Sequence, residues 1–241
     1  MKIKILTLFP SMYENFIRES IIKRAIEKGL VTIELIDIRT YSLSKHRHVD
    51  DTPYGGGAGM VLAVDVVHRA ICANASPQSY KILMTPQGMP YVQKKALDLS
   101  QKEELMIICG HYEGFDERIR DYVDEEISIG DYVLTGGELA SMVVCDSVIR
   151  LLDHAIRKES SKEDSFSMGL LEYPQYTRPL VYDQKEVPPV LVNGNHELIR
   201  RYRRKESLRK TLLRRPDLLK DYPLTVEDEQ FIQEIKEEMD L

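Results

Sequence analysis

The sequence predicts an α/β fold, a parallel sheet with helices between its strands, followed by a smaller all-helical domain. Three observations carry this. Short apolar runs alternate with amphipathic segments through the first 150 residues or so. The stretches just after the later strands are rich in glycine and proline, as expected where a parallel sheet receives a ligand. Beyond a polar, aperiodic stretch, apolar residues recur at helical spacing.

In chain order, "KIKILTLF" reads as a strand. Ser11 and Glu14 form a candidate capping box for a helix that Gly29 closes, and "VTIELIDI" completes a β-α-β unit. The stretch "RTYSLSKHRHVDDTPYGGGAGM" has no apolar period and is long enough to be a functional loop. Next come a helix near "DVVHRAICANA", a strand "YKILMT", a helix "YVQKKALDLS", a strand "LMIICG" and a short strand near "EEISI". A helix from Glu138 to Leu152 follows. The expected domains are residues 1–153, a flexible linker 154–168, and a helical domain 169–241.

Composition bounds the function. With 241 residues, 43% hydrophobic, the chain can bury a sizeable core. Cys72, Cys109 and Cys145 show no CxxC spacing and read as core thiols in a reducing compartment, not as zinc ligands. No run approaches the roughly 18 apolar residues of a membrane span, which places the protein in the cytoplasm, away from membranes. The net charge of −6 hides an uneven distribution. "HELIRRYRRKESLRKTLLRRP" gathers arginines, among them Arg203, Arg204 and Arg209, while the following "VEDEQFIQEIKEEMDL" is acidic. Such a block reads either as a solvated helix face or as a phosphate-binding one.

The turns "TPQGMP", "GHYEGFDER" and "GDYVLTGGE" each follow a strand. They offer backbone donors and acceptors more than side chains, which suits an edge-reading pocket for an adenine and ribose. Each alone also fits plain strand-end packing. There is no GxGxxG after the first strand, no GxxxxGK[ST], no HExxH and no GxSxG, so the dinucleotide, P-loop, zincin and serine-hydrolase classes lack their defining residues.

Taken in order, "DDTPYGGGAGM", "TPQG", "CGHYEGFDER", "SIGDYVLTGGELA", "DSF", "EYPQYTRP", "VPPVLVNGNH" and "SLRKT..RRPDLL" closely resemble the bacterial tRNA (guanine-N1)-methyltransferase family, which modifies position 37 beside the anticodon. The resemblance implies a SPOUT-type α/β domain with a C-terminal trefoil knot, S-adenosyl-L-methionine as methyl donor, and a homodimer with composite active sites. It implies cofactor contacts from Leu83, Met84, Thr85 and Pro86, from Gly110, Tyr112 and Glu113, and from Ile129, Gly130, Tyr132, Leu134, Gly136 and Gly137. The glycine pair is expected to let the backbone pass close to the donor.

By the same resemblance Asp164 is the general base at guanine N1 and Arg150 the partner of O6. Gly59 lies against the target base, and Arg203, Arg204 and Arg209 contact a tRNA carrying guanosine at position 37. Magnesium dependence is also implied, although no residue cluster marks a metal site. Ala58 and Ala140 stand where the family usually has proline, and the linker lacks the family's common Pro-Gly. A SPOUT-type methyltransferase for another RNA position and a non-catalytic RNA-binding relative are the alternatives.

Overall fold

The computed structural model of the protein describes residues 1–156 and 164–239. The chain forms two compact units, Met1–Arg157 and Lys158–Leu241.

The first unit opens with β1 (Lys2–Thr7) and β2 (Thr32–Asp37), joined through α1 (Ser20–Glu27). The helix expected to start at Ser11 is not there. Pro10–Tyr13 and Phe16–Arg18 form two 3-10 turns, with no side-chain cap on the first, and α1 begins only at Ser20. Burial of Tyr13 overrides the local capping signal: its ring is fully enclosed and its hydroxyl meets Ser141 Oγ at 2.6 Å. Gly29 does close α1. At φ +69° its N–H reaches the Ile26 carbonyl at 2.9 Å, and Leu30 N–H reaches that of Ala25 at 3.0 Å, a Schellman end.

The long loop carries a small antiparallel pair, β3 (Asp50–Asp51) with β4 (Val61–Leu62). Then follow α2 (Val64–Asn74), β5 (Ser79–Pro90), α3 (Gln93–Ser100), β6 (Glu104–Cys109), β7 (Glu125–Ser128) and α4 (Glu138–Ile149). The main sheet has the order β2-β1-β6-β5-β7, and its pairings are parallel. β6 is buried along its whole length, as a strand covered on both faces must be. Ile3, Ile5, Ile82, Leu105 and Ile107 pack with α1 and α4 on one side. Leu6, Leu83, Met106 and Ile108 pack with α2 on the other.

β5 outlasts the strand expected from sequence. It pairs with β7 at Ile82–Met84, bulges out, and pairs again at Met89 and Pro90. Gly88 permits this, because a Cβ there would meet the Ile127 backbone nitrogen at 2.5 Å. α4 stops at Ile149, short of the expected Leu152.

The second unit is mainly helical but not wholly so. A hairpin of β8 (Val181–Tyr182) and β9 (Lys185–Glu186) precedes α5 (His196–Arg214) and α6 (Val226–Glu238). Asp183 and Gln184, at φ +50° and +60°, make the tight turn that the helical reading missed. Asn195 caps α5, and Thr225 with Asp228 forms a capping box on α6. Leu170, Leu208, Phe231 and Ile235 make the core. Of the expected linker, residues 157–163 lie outside the described residues. Asp164–Gly169 instead folds as a turn of the second unit, with Ser167 N–H on the Asp164 carbonyl at 3.1 Å and Phe166 N–H on that of Leu170 at 2.8 Å.

Candidate functional site

Three turns leave the sheet at the carboxyl ends of β5, β6 and β7 and enclose one cleft of about 260 Å³. From β5 come Leu83, Met84, Thr85 and Pro86, the last two on the bulge that ends at Gly88. From β6 come Gly110, Tyr112 and Glu113, with Tyr112 at φ +59°. From β7 come Ile129, Gly130, Tyr132, Leu134, Gly136 and Gly137. The structure therefore brings together every residue that the sequence grouped for the cofactor.

Besides lining the cleft, the glycine pair lies against the end of β6. Gly137 N–H donates to the Gly110 carbonyl at 2.8 Å, and Gly136 bridges His111 in antiparallel fashion. A Cβ on Gly137 would lie 2.9 Å from Cys109 Cα and 3.0 Å from Gly110 N. The missing side chain thus makes room for the end of β6, and Gly137 needs no left-handed backbone, since its φ is −80°.

Behind this contact lies a buried polar network that sequence reading missed. Thr7 Oγ1 donates to Glu138 Oε1 at 2.7 Å, and Tyr13 reaches both Ser141 and, at 3.4 Å, Cys109 Sγ. These residues are far apart in sequence and share no motif, so only the fold joins them. Burial, helped by the nearby Glu138 charge, pushes the Cys109 thiol up to about 12, so it is a protonated structural group at neutral pH. His111, Phe115, Glu117 and Arg120 also line the cleft; the first three stand in the "GHYEGFDER" turn, within reach of a fuller reading of it, and Arg120 lies two residues beyond its end. Arg120 is held by Glu117 at 2.8 Å and by Glu126 and Gln87.

Gly59 sits outside the cleft but against its wall. A Cβ there would fall 2.5 Å from Glu113, whose N–H donates to the Met60 carbonyl at 3.0 Å. Arg150 is the C-cap of α4, at the far end of that helix from Gly137. A helix of this length spans ~18 Å, more than the length of an arginine side chain, and Arg150 is not among the described residues that line the cleft. Asp164 belongs to the second unit.

The arginine block is largely neutralised from within. Arg204 makes a two-point pair with Asp228, Nε at 2.7 Å and Nη2 at 2.8 Å, and the Asp228 side chain is only 2% exposed. Burial would raise the Asp228 carboxyl, but Arg204 and the Thr225 cap hold it down at about 2. Arg209 pairs with Glu206 at 3.0 Å and Glu238 at 2.5 Å, and Lys205 with Glu234 at 2.6 Å. The Arg203 guanidinium lies 4.7 Å from the centroid of the Tyr173 ring. The acidic segment folds back on the arginine block as α6 and supplies many of its counterions. Among the described residues no helix is long and apolar enough to cross a membrane, and no group of three or more His, Cys, Asp and Glu side chains is set to hold a metal ion.

A parallel sheet whose strand-end turns build a glycine-walled cleft defines a ligand-binding α/β protein. The comparisons with known proteins narrow this. The chain belongs to the family described as tRNA (Guanine-1)-methyltransferase TrmD, which matches residues 1–221. It is 55% identical over 242 residues to the tRNA (guanine-N(1)-)-methyltransferase of Geobacillus kaustophilus, covering 99% of each chain. It is 54% identical over 243 residues to that of Bacillus velezensis and 53% identical over 243 residues to that of Bacillus subtilis, each covering 99% of this chain and 100% of the relative.

Proposed function

We propose that the protein is an S-adenosylmethionine-dependent tRNA methyltransferase that methylates N1 of guanosine 37. The observation that carries this is the convergence of all three glycine turns on one cleft, in a chain that matches the family over residues 1–221. The lining fits the donor. Leu83, Met84, Ile127, Ile129 and Leu134 offer apolar contact to a purine, and the turn backbones offer edge hydrogen bonds. When bound, the donor supplies an electrophilic methyl group on sulfur.

Guanine N1 is a poor nucleophile until its proton leaves, and negative charge then grows on O6. Asp164 takes the proton and the Arg150 guanidinium faces O6. A carboxylate is a far weaker base than the guanine N1 anion, so proton loss accompanies methyl transfer. That makes charge stabilisation by Arg150 decisive.

The site is completed by a second copy of the chain. The separation along α4 between Arg150 and Gly137 supports this, as does the surface of that helix. Leu139 and Val143, four residues apart, are 52% and 47% exposed on a helix that is otherwise mostly buried, as at an interface between copies. The trefoil knot belongs to the same reading. From the edge strand β7 the chain returns past β5 to lie beside the end of β6, the crossing such a knot requires. Gly59 borders the target base, and the second unit holds the tRNA in the cytoplasm where both meet. Arg209 contacts a phosphate by exchanging it for Glu206 and Glu238, whereas Arg204 stays with buried Asp228. Magnesium dependence remains an expectation from the family.

The test is transfer of labelled methyl from S-adenosylmethionine to an unmodified tRNA with guanosine 37, followed by nucleoside mapping. Label in 1-methylguanosine, and none with an adenosine-37 control, is the expected result. Label in a ribose or at another base position overturns the assignment.

A further inference from the structure

We propose that a groove on the second unit, walled by Tyr173, Tyr176, Arg178 and Arg203, receives an unpaired nucleotide of the RNA substrate. The proposal rests on the RNA-modifying function above but concerns a different surface from the cofactor cleft. The groove runs between the extended segment after Leu171 and the first turns of α5, with a volume of about 560 Å³, and its floor includes Leu191 and Val192. An apolar floor with aromatic and guanidinium walls is the chemistry that stacks a nucleobase.

Charge selects the occupant. Among the described residues, those lining the groove include no aspartate or glutamate. Elsewhere in this unit Arg200, Arg204, Lys205, Arg209 and Arg215 each hold a carboxylate. Arg178, exposed on the rim, has no acidic partner among the described residues, and it is placed to meet the phosphate of a nucleotide whose base lies inside. Geometry adds to this. Arg203 lies over the Tyr173 ring, its guanidinium carbon 4.7 Å from the centroid, and Tyr176 is 47% exposed. A base entering the groove finds these flat surfaces already formed.

The chain contains no tryptophan, so Tyr176→Trp introduces a single indole reporter into the full-length protein. Its emission is expected to be quenched by unmodified guanosine-37 tRNA and to be unmoved by S-adenosylmethionine alone. Arg178→Ala is the second variant. It is expected to raise KM for tRNA about 10-fold, with the loss in KM and not in kcat, and to lower the salt slope of binding by about one. No change in emission at tRNA concentrations that saturate methyl transfer overturns the proposal, as does an Arg178→Ala enzyme with the original KM and salt slope. Emission that responds to protein concentration instead of RNA also overturns it, assigning the groove to a contact between copies. Should the unmodified chain fail to methylate guanosine 37 at all, the functional reading itself falls; a silent groove in an active enzyme removes only this proposal.

Discussion

At Gly137 the space a side chain would need is already filled by the end of β6. Gly137→Ala is therefore expected to destabilise the first unit by about 1–3 kcal/mol as well as to weaken cofactor binding, because the Cβ meets backbone that cannot swing aside. Urea unfolding beside calorimetric titration with S-adenosylmethionine checks both; lost affinity at unchanged stability would return the glycine to the donor. The pair was legible as two residues that tolerate no side chain, but what excludes the side chain was not, because Cys109 lies 28 positions away. Asp228 gives a second residue-scale prediction. Its folded value of about 2 lies below the ordinary ~3.9 of an unfolded aspartate, so its contribution is complete above pH ~4 and is lost as pH falls towards 2. Asp228→Asn should remove that acid dependence. It should also cost about 3 kcal/mol by leaving Arg204 beside an uncharged amide, seen as a lower urea midpoint at pH 7.

Among elements, β6 was the most legible strand, because a strand covered on both faces must be a nearly unbroken apolar run. The missing helix after Pro10 shows the limit of local signals, since Ser11 and Glu14 had the right spacing while Tyr13 had the better reason to be buried. The two oppositely charged segments near the C-terminus were visible as composition, yet nothing in composition says that one becomes the counterion of the other. Their pairing predicts a response at the level of the helix. Replacing Glu234 and Glu238 by glutamine should release Lys205 and leave Arg209 with Glu206 alone, steepening the salt dependence of tRNA binding by about one to two. Filter binding across a salt series measures it, and an unchanged slope would leave α5 as a structural helix only.

For the whole molecule, the candidate cleft was legible because its residues come in three short motifs, whereas the separation of Arg150 from Gly137 became visible only once the bounds of α4 were fixed. If the site is shared between copies, an Arg150→Ala chain and a Leu134→Arg chain, each inactive alone, should recover activity on mixing. One site of the mixed dimer then carries both defects and the other neither. Mixed dimers verified by mass yet without methyl transfer would place Arg150 and the cleft in one chain's site. The strand order has a consequence for the newborn chain. β1 is flanked by β2 on one side and by β6 on the other, and Lys2 pairs with Glu104. After β2 has been synthesised some seventy residues must still be added before β6 is complete, so at ~5–20 residues per second the apolar edge of β1 waits roughly 4–14 s without its partner. Through that interval the nascent protein exposes a strand edge able to pair with a neighbouring chain, and shielding on the ribosome should matter more for its yield than the stability of the finished fold.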